Sequence, residues 1–304
     1  MKKAILLVPF VVAACAQKNI QSESNVAGPF PSHAESTDKS GITKPAFFLT
    51  IPQPTTPVEV VFDTSYDTAR IVNYRQSEKL HMSGSATFGL KAIKTLAKPA
   101  KKVKAALTVF DLRQESHGYI NDKPMTWSSP NDWGLADLNH DEAIQRERRL
   151  LLDTPLGSNV AGKNVQSLET EESAVQSRGY EYIRLTVTSH LRPSDTEVDR
   201  FLEAVKALPE KNWVHFHGRE GKDRTTLFMA MYDMLRNAKA DSLEDIVKRN
   251  EDLSHDGGLL DLPAHDNALY VYQKERAEFL REFYNFAKAH PDGKDMLWTE
   301  WIKK

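Results

Sequence analysis

Residues 215–226 read HFHGREGKDRTT and continue a short apolar run, NWVHF. A strand that empties into a tight loop of about eight residues, followed by a helix starting near Thr225, is suited to holding an oxyanion. Inward-turned backbone N–H groups and the positive end of the helix dipole converge on one point. Arg224 stands just before the helix and offers a bidentate fork to two phosphate oxygens, with the Thr225 hydroxyl beside it. Gly221 supplies backbone freedom inside the turn. The expected phosphate contacts are therefore Arg219, Glu220, Gly221, Lys222, Asp223, Arg224 and Thr225. The loop lacks the GxxxxGK[ST] spacing that places a lysine and a hydroxyl on nucleotide phosphates and magnesium, so it is not an ATP-binding loop. It holds no thiol, since the single cysteine of the chain is Cys15.

The elements around this loop read as α/β. "KAALTVFDLRQESHGYIN" gives a strand over Leu107–Asp111 that empties into a polar loop, and "YEYIRLTVTSH" gives a second strand ending near Ser189. Between the latter and the HFHGREGKDRTT loop, Val198, Phe201, Leu202, Val205 and Leu208 recur at helical spacing. Ser194 and Glu197 form a capping-box pattern before them, and Pro209 stops the run. "NWVHFH" is a central strand. "TTLFMAMYDMLRNAK", "SLEDIVKRN" and "ALYVYQKERAEFLREFYNFAKAH" are helices, "DEAIQRERRLLLD" is another, and Met229, Met231 and Met234 are core packing. Alternating strands and helices predict a central sheet flanked by helices on both faces. Short β-branched runs from "PAFFLTIPQ" to "VEVVFDTS" predict a smaller β-rich region at the start, and a stretch holding Trp127 and Trp133 reads as loop.

The ends and the overall charge bound the function classes. Lys2 and Lys3 precede an apolar stretch, Ala4–Ala14, that is too short to span a bilayer, and "VAAC" ends at Cys15. Residues 1–15 are therefore expected to be an export signal with a lipobox, Cys15 carrying the lipid. Residues 16–44 are expected to be a flexible tether, and residues 45–304 the folded domain of an exported, cell-envelope lipoprotein held at the membrane by its lipid alone. With one cysteine, the folded domain has neither a disulfide nor a catalytic thiol. The formal net charge of −2 argues against a nucleic-acid binder and leaves anion attraction to local basic clusters. His117 with Glu115 has no paired metal-ligand spacing, and neither a metal nor another cofactor is expected.

With a cysteine at position 218, the loop would carry the HCxxGxxRT signature of the protein tyrosine phosphatase superfamily. "VFDLRQESHGYIN", "MTW", "NDW", "PLG", "TVTSHLRP", "VDRFL", "WVHFH", "RTTLFMAMYDML" and the closing "WTEWIKK" occur in order over roughly residues 45–303. The chain resembles bacterial protein tyrosine phosphatase-like inositol polyphosphate phosphatases, the cysteine phytases. The resemblance implies a tyrosine phosphatase-like fold, a phosphorylated small molecule such as an inositol phosphate as ligand, and a nucleophile at Gly218. It places the family's general acid at Ser189, where "TSH" stands for "TDH", and retains His190. His217 is then a loop-supporting donor, and Asp111, Arg113, Glu115 and His117 either orient the loop through ion pairs or line its pocket.

Two catalytic roles are thus vacant together, and a serine hydroxyl is a far poorer proton donor than a carboxylic acid. Asp223 resembles the loop aspartate of myotubularin-like phosphatases, an acid in those enzymes, or simply pairs with Lys222 or Arg219. The expectation is a phosphate-binding protein of impaired catalysis. The alternative is an active inositol polyphosphate phosphatase, with Gly218 an altered cysteine or with water as nucleophile and His190 or His217 as base. Arg219, Lys222, His190 and Arg192 are candidates for the rim. "LPAHDNALY" replaces the lysine-rich approach to the last long helix, which puts inositol hexakisphosphate itself in doubt.

Overall fold

The computed structural model describes residues 49–63, 70–254 and 258–303, together with Ser36–Thr37 (β1) and Thr43–Lys44 (β2). The proposed export signal, Cys15 and most of the 16–44 segment lie outside the described residues. The chain divides into two units, Met1–Ala46 and Phe47–Lys304. In the first, β1 and β2 pair antiparallel. No helix among the described residues is long and apolar enough to cross a membrane.

The second unit is built on a five-stranded sheet in the order β12-β6-β13-β5-β4. Its strands are β4 (Arg75–Ser77), β5 (Met82–Ser85), β6 (Ala106–Arg113), β12 (Glu181–Val187) and β13 (Asn212–His217). All pairings are parallel except that of the edge strand β4. Period-two alternation sends side chains to both faces. Phe110 and Leu112 of β6 and Val214 and Phe216 of β13 enter one core, while Leu107, Val109 and Trp213 enter the other.

The first core is covered by α5 (Asp195–Ala207), α6 (Asp223–Asn237), α7 (Leu243–Ser254), α8 (Tyr270–Ala289) and the short α9 (Trp298–Trp301). The second core is covered by α1 (Ile93–Leu96), α2 (Lys98–Lys102) and α4 (Glu171–Gln176). Every residue of α6 from Arg224 to Leu235 is buried, including the three methionines. The predicted central sheet with helices on both faces is what is observed.

A second, antiparallel sheet in the order β11-β7-β8-β3 joins β3 (Glu59–Phe62), β7 (His117–Ile120), β8 (Lys123–Ser128) and β11 (Leu168–Glu169). A small hairpin, β9 (Asn159–Val160) with β10 (Lys163–Asn164), follows α3 (His140–Leu152).

Four local expectations need correction. The segment 49–57 forms no strand: Pro52, Pro54 and Pro57 cannot donate to a ladder, and only the EVVF run pairs. Trp127 lies inside β8 rather than in a loop. The capping box of α5 is half formed. Ser194 accepts from the Glu197 N–H, but the Glu197 carboxylate turns to the N–H of Thr186 in β12. Finally, α6 begins at Asp223, two residues before the predicted start, where a carboxylate favours the helix dipole.

Candidate phosphate-binding site

The register of the main sheet sets the loop in place. His217, the last residue of β13, lies between Asp111 of β6 and Ser85 of β5, so the chain leaves the sheet at the carboxyl ends of its parallel strands. From there the loop carbonyls are turned outward and tied down. The Thr87 N–H donates to Arg219 O (3.1 Å), Asn73 Nδ2 to Glu220 O (2.7 Å) and Arg75 Nη1 to Gly221 O. Arg75 also donates to Thr226 Oγ1 at 2.8 Å. With its carbonyls engaged outside, the loop presents its N–H groups inward. Among the described residues, no protein acceptor stands against the N–H groups of Arg219 to Thr225.

Gly221 makes this turn possible. Its φ is +71°, and a Cβ there would lie 2.2 Å from Ala86 N. Gly218 is different in kind. Its backbone is outside the left-handed region, and a Cβ would meet Arg224 Nε and Thr225 Oγ1 at 3.6 Å, which is ordinary contact. No steric requirement of the fold demands a glycine at 218.

Arg224 is buried beneath this point. Its Nη1 lies 2.7 Å from Glu115 Oε2 and donates to Val187 O at 2.9 Å, and Nη2 lies 2.9 Å from Glu115 Oε1. Glu115 also takes Arg113 Nε at 3.0 Å, and Arg113 Nη1 is 3.7 Å from Asp63 Oδ2. Burial opposes the Glu115 carboxylate, yet Arg224 and Arg113 hold it far below the usual range. Asp63 in turn accepts from Arg219 Nε at 2.9 Å, while Arg219 Nη1 sits 2.7 Å from Asp132. A continuous row of alternating charge, Arg224–Glu115–Arg113–Asp63–Arg219–Asp132, therefore runs from the loop into the smaller sheet and back to the cleft.

Beside it, His217 Nε2 is 2.7 Å from Glu171 Oε1. Asp111 Oδ2 is 3.0 Å from His117 Nε2 and 2.9 Å from Arg184 Nη1. Burial and Arg113 penalise the His117 imidazolium, but Asp111 and Glu147 outweigh them, and its pKa is pushed up to about 9. Glu171 resists burial through His217 and His117 and falls to about 2. Asp111, His117 and Glu171 could in principle gather a cation, but the Arg184 guanidinium and the charged His117 already occupy that role.

Above the loop opens a cleft of about 270 Å³. The loop residues Gly218 to Thr225 form its floor, and Ser128, Asn131, Asp132, Ser189 and His190 its walls. Ser189 is held by Trp133 Nε1, which donates to its carbonyl at 2.9 Å, and His190 adopts a φ of +69°. The structure thus brings Gly218, Arg219, Glu220, Gly221, Lys222, Asp223, Arg224, Thr225, Ser189 and His190 around one cavity.

It does not bring Arg192 there. That guanidinium is buried against Asp195, the Pro193 carbonyl and the Phe279 ring, so it is removed from the rim. Asp111, Arg113, Glu115 and His117 do not line the cavity either. All four are buried. Asp223 pairs with neither Lys222 nor Arg219. Its carboxylate faces His190 Nδ1 at 3.5 Å and Arg276 Nη1 at 3.7 Å. His190 first, and then Arg276 against the effect of burial, keep it below the usual carboxylate range. The sequence gives no sign of Asn73, Arg75, Asp63 and Arg276, because single polar residues 53 to 156 places from their loop partners carry no spacing signal.

Comparison with known proteins agrees with this architecture. The PTP-like phytase family model, described as "Inositol hexakisphosphate", matches residues 138–236. A PTP-like phytase from Bdellovibrio bacteriovorus is 60% identical, with a TM-score of 0.83 over 85% of this chain and 99% of that one. The chain belongs to the PTP-like phytase family. A second solved structure, a PTP-like myo-inositol phosphatase from Mitsuokella multacida in complex with myo-inositol-(1,3,4,5)-tetrakisphosphate, is 25% identical. It aligns with a TM-score of 0.74 over 84% of this chain and 50% of its own. The effector protein hopD2 of Pseudomonas syringae pv. tomato is 33% identical over 229 residues, 67% of this chain and 48% of hopD2. The chain therefore spans about half the length of the latter two relatives.

Proposed function

We propose that this PTP-like phytase family member seats a phosphoryl group of an inositol phosphate on the Gly218–Thr225 loop, and that it does not hydrolyse it by the cysteine mechanism. The observation that carries the reading is the loop itself: inward N–H groups and Arg224 converge on a point where Gly218 offers no sulfur. The tetrakisphosphate bound by the Mitsuokella relative supports the ligand class. Absence of a thiolate removes negative charge from the floor and leaves the anion-binding groups in place. With Ser189 at the position of the family's acid, the leaving alkoxide also has no carboxylic proton donor. We further propose that residues 1–15 export the chain and that lipid on Cys15 tethers it to the envelope through residues 16–44.

A second reading, hydrolysis by water, draws on the pairing of His190 with Asp223 at the cleft wall. It meets two obstacles: Asp223 is held ionised and so is a poor acid, and His217 is fully buried against Glu171, away from any water nucleophile.

Calorimetry with orthophosphate and inositol phosphates tests the binding. Arg224→Ala should weaken it on the order of 100-fold, the loss expected for a bidentate charge-assisted contact. Equal binding by that variant would sink the reading. Phosphate release should be absent from the chain as it stands. Its appearance in Gly218→Cys alone would assign the acid role to Asp223, whereas its appearance only in Gly218→Cys with Ser189→Asp would mark both positions as lost. Release by the unaltered chain would overturn the proposal.

A further inference from the structure

The cations around the cleft are already matched by carboxylates. Arg224 faces Glu115, Arg219 faces Asp63 and Asp132, and the exposed Lys222 lies 3.4 Å from Glu220. Asp132, Glu220 and Asp223 themselves line the cavity. A single phosphoryl group on the loop needs little more than the inward N–H groups and Arg224. A second phosphate beside the first needs a further cation, and the wall nearest the start of α6 presents a carboxylate instead.

That carboxylate belongs to Asp223, and its support is unusual. Arg276, reaching from α8, is only 3% exposed. Its Nε and Nη1 have no hydrogen-bond partner among the described residues, and Nη2 donates to Gly258 O at 3.2 Å. The guanidinium thus stabilises Asp223 from behind, below the surface, where it does not offer itself to a ligand. In front, the Asp223 side chain is 44% exposed and stands 3.5 Å from His190. The stretch leading into α8, LPAHDNALY, adds no lysine or arginine to offset it.

Building on the proposal that the loop seats a phosphoryl group, we propose that Asp223 is a specificity determinant. Held by Arg276 and facing His190, it discriminates against a second phosphate next to the seated one, so the cleft prefers an isolated phosphomonoester to a densely phosphorylated ring. The energetic basis is like-charge juxtaposition in a partly desolvated cleft, which acts on specificity more than on the affinity of the seated group.

The test compares three probes by calorimetry at one ionic strength: orthophosphate, an inositol monophosphate and inositol hexakisphosphate. They are measured on the full chain and on Asp223→Asn, with Asp223→Ser as a second variant that retains a good residue for a helix start. The expected result is a shift in selectivity: the ratio of hexakisphosphate affinity to orthophosphate or monophosphate affinity rises by about tenfold or more. If all three affinities move together, Asp223 only shapes the start of the helix and the proposal fails. If none moves, it also fails, although the phosphoryl-seating reading survives. Orthophosphate binding that is absent, or indifferent to Arg224→Ala, removes that underlying reading and this inference with it.

Discussion

Placing a cysteine at position 218 asks whether the loop still makes a thiolate, independently of any turnover. Nothing in the backbone resists the substitution, since the new Cβ meets Arg224 Nε and Thr225 Oγ1 at 3.6 Å. Replacing glycine also narrows the unfolded ensemble, so stability should be unchanged or rise by about 0.5 kcal/mol. A sulfur roughly 4 Å from the guanidinium gains about 4 kcal/mol at an effective dielectric of ~20, equivalent to ~3 pKa units. Glu115, bound to the far side of the same guanidinium, cancels part of this, while the N-terminus of α6 adds to it. The balance places the thiol near pH ~6.5, about two units below a free cysteine. The assay is the pH dependence of iodoacetamide alkylation in a Cys15→Ser background, where residue 218 carries the sole thiol. A midpoint at or above ~8 would refute the account of the loop as a preserved anion cradle.

Two further outcomes follow from the same geometry. Gly221→Ala forces a Cβ to within 2.2 Å of Ala86 N at a left-handed φ, and should destabilise the domain by roughly 3 kcal/mol in urea unfolding; a near-neutral effect would mean that the loop is not clamped against β5. Stability should also depend on pH through the pairs behind the loop. His117, raised from 6.5 to about 9, contributes stability that is complete below 6.5 and disappears as pH rises through 9. Glu171, lowered from 4.5 to about 2, contributes stability above 4.5 that is lost as pH falls through 2. The urea midpoint should therefore plateau between about pH 4.5 and 6.5 and decline towards pH 9, and His117→Gln should flatten the alkaline decline; an unaltered decline in that variant would assign it to other groups.

The parts of the site that arise from contiguous chain were legible in the sequence. A strand, a glycine-bearing loop and a helix announce themselves through composition, which is why Gly218 to Thr225 and the main sheet could be placed in advance. The supporting residues obey a different logic. Asp63 meets Arg219 only because β3 reaches the loop through the smaller sheet, and Arg75 and Asn73 meet the loop carbonyls because β4 lies at the sheet edge. Such partners have no periodicity of their own. Arg192 misled for the complementary reason: an arginine near a catalytic step reads as a phosphate ligand, whereas burial against Phe279 and Asp195 depends on α8 and α5, far away in sequence. Asp223 was misassigned because adjacent charges suggest pairing, while α6 turns its carboxylate away from Lys222 toward α8.

The row of alternating charge from Arg224 to Asp132 has a consequence for how the chain acquires its shape. Its members come from the end of β6 and the turn after it, the residue following β3, the segment after β8, the loop after β13 and the first turn of α6, with Asp63 and Arg219 separated by 156 positions. Contacts of such long sequence separation form only after slow, entropically costly chain closure. The proposed anion cradle is therefore expected to be a late product of folding, completed when both sheets have met. A nascent chain still emerging, or one cut between the sheets, would carry the whole HFHGREGKDRTT motif and yet hold no phosphate.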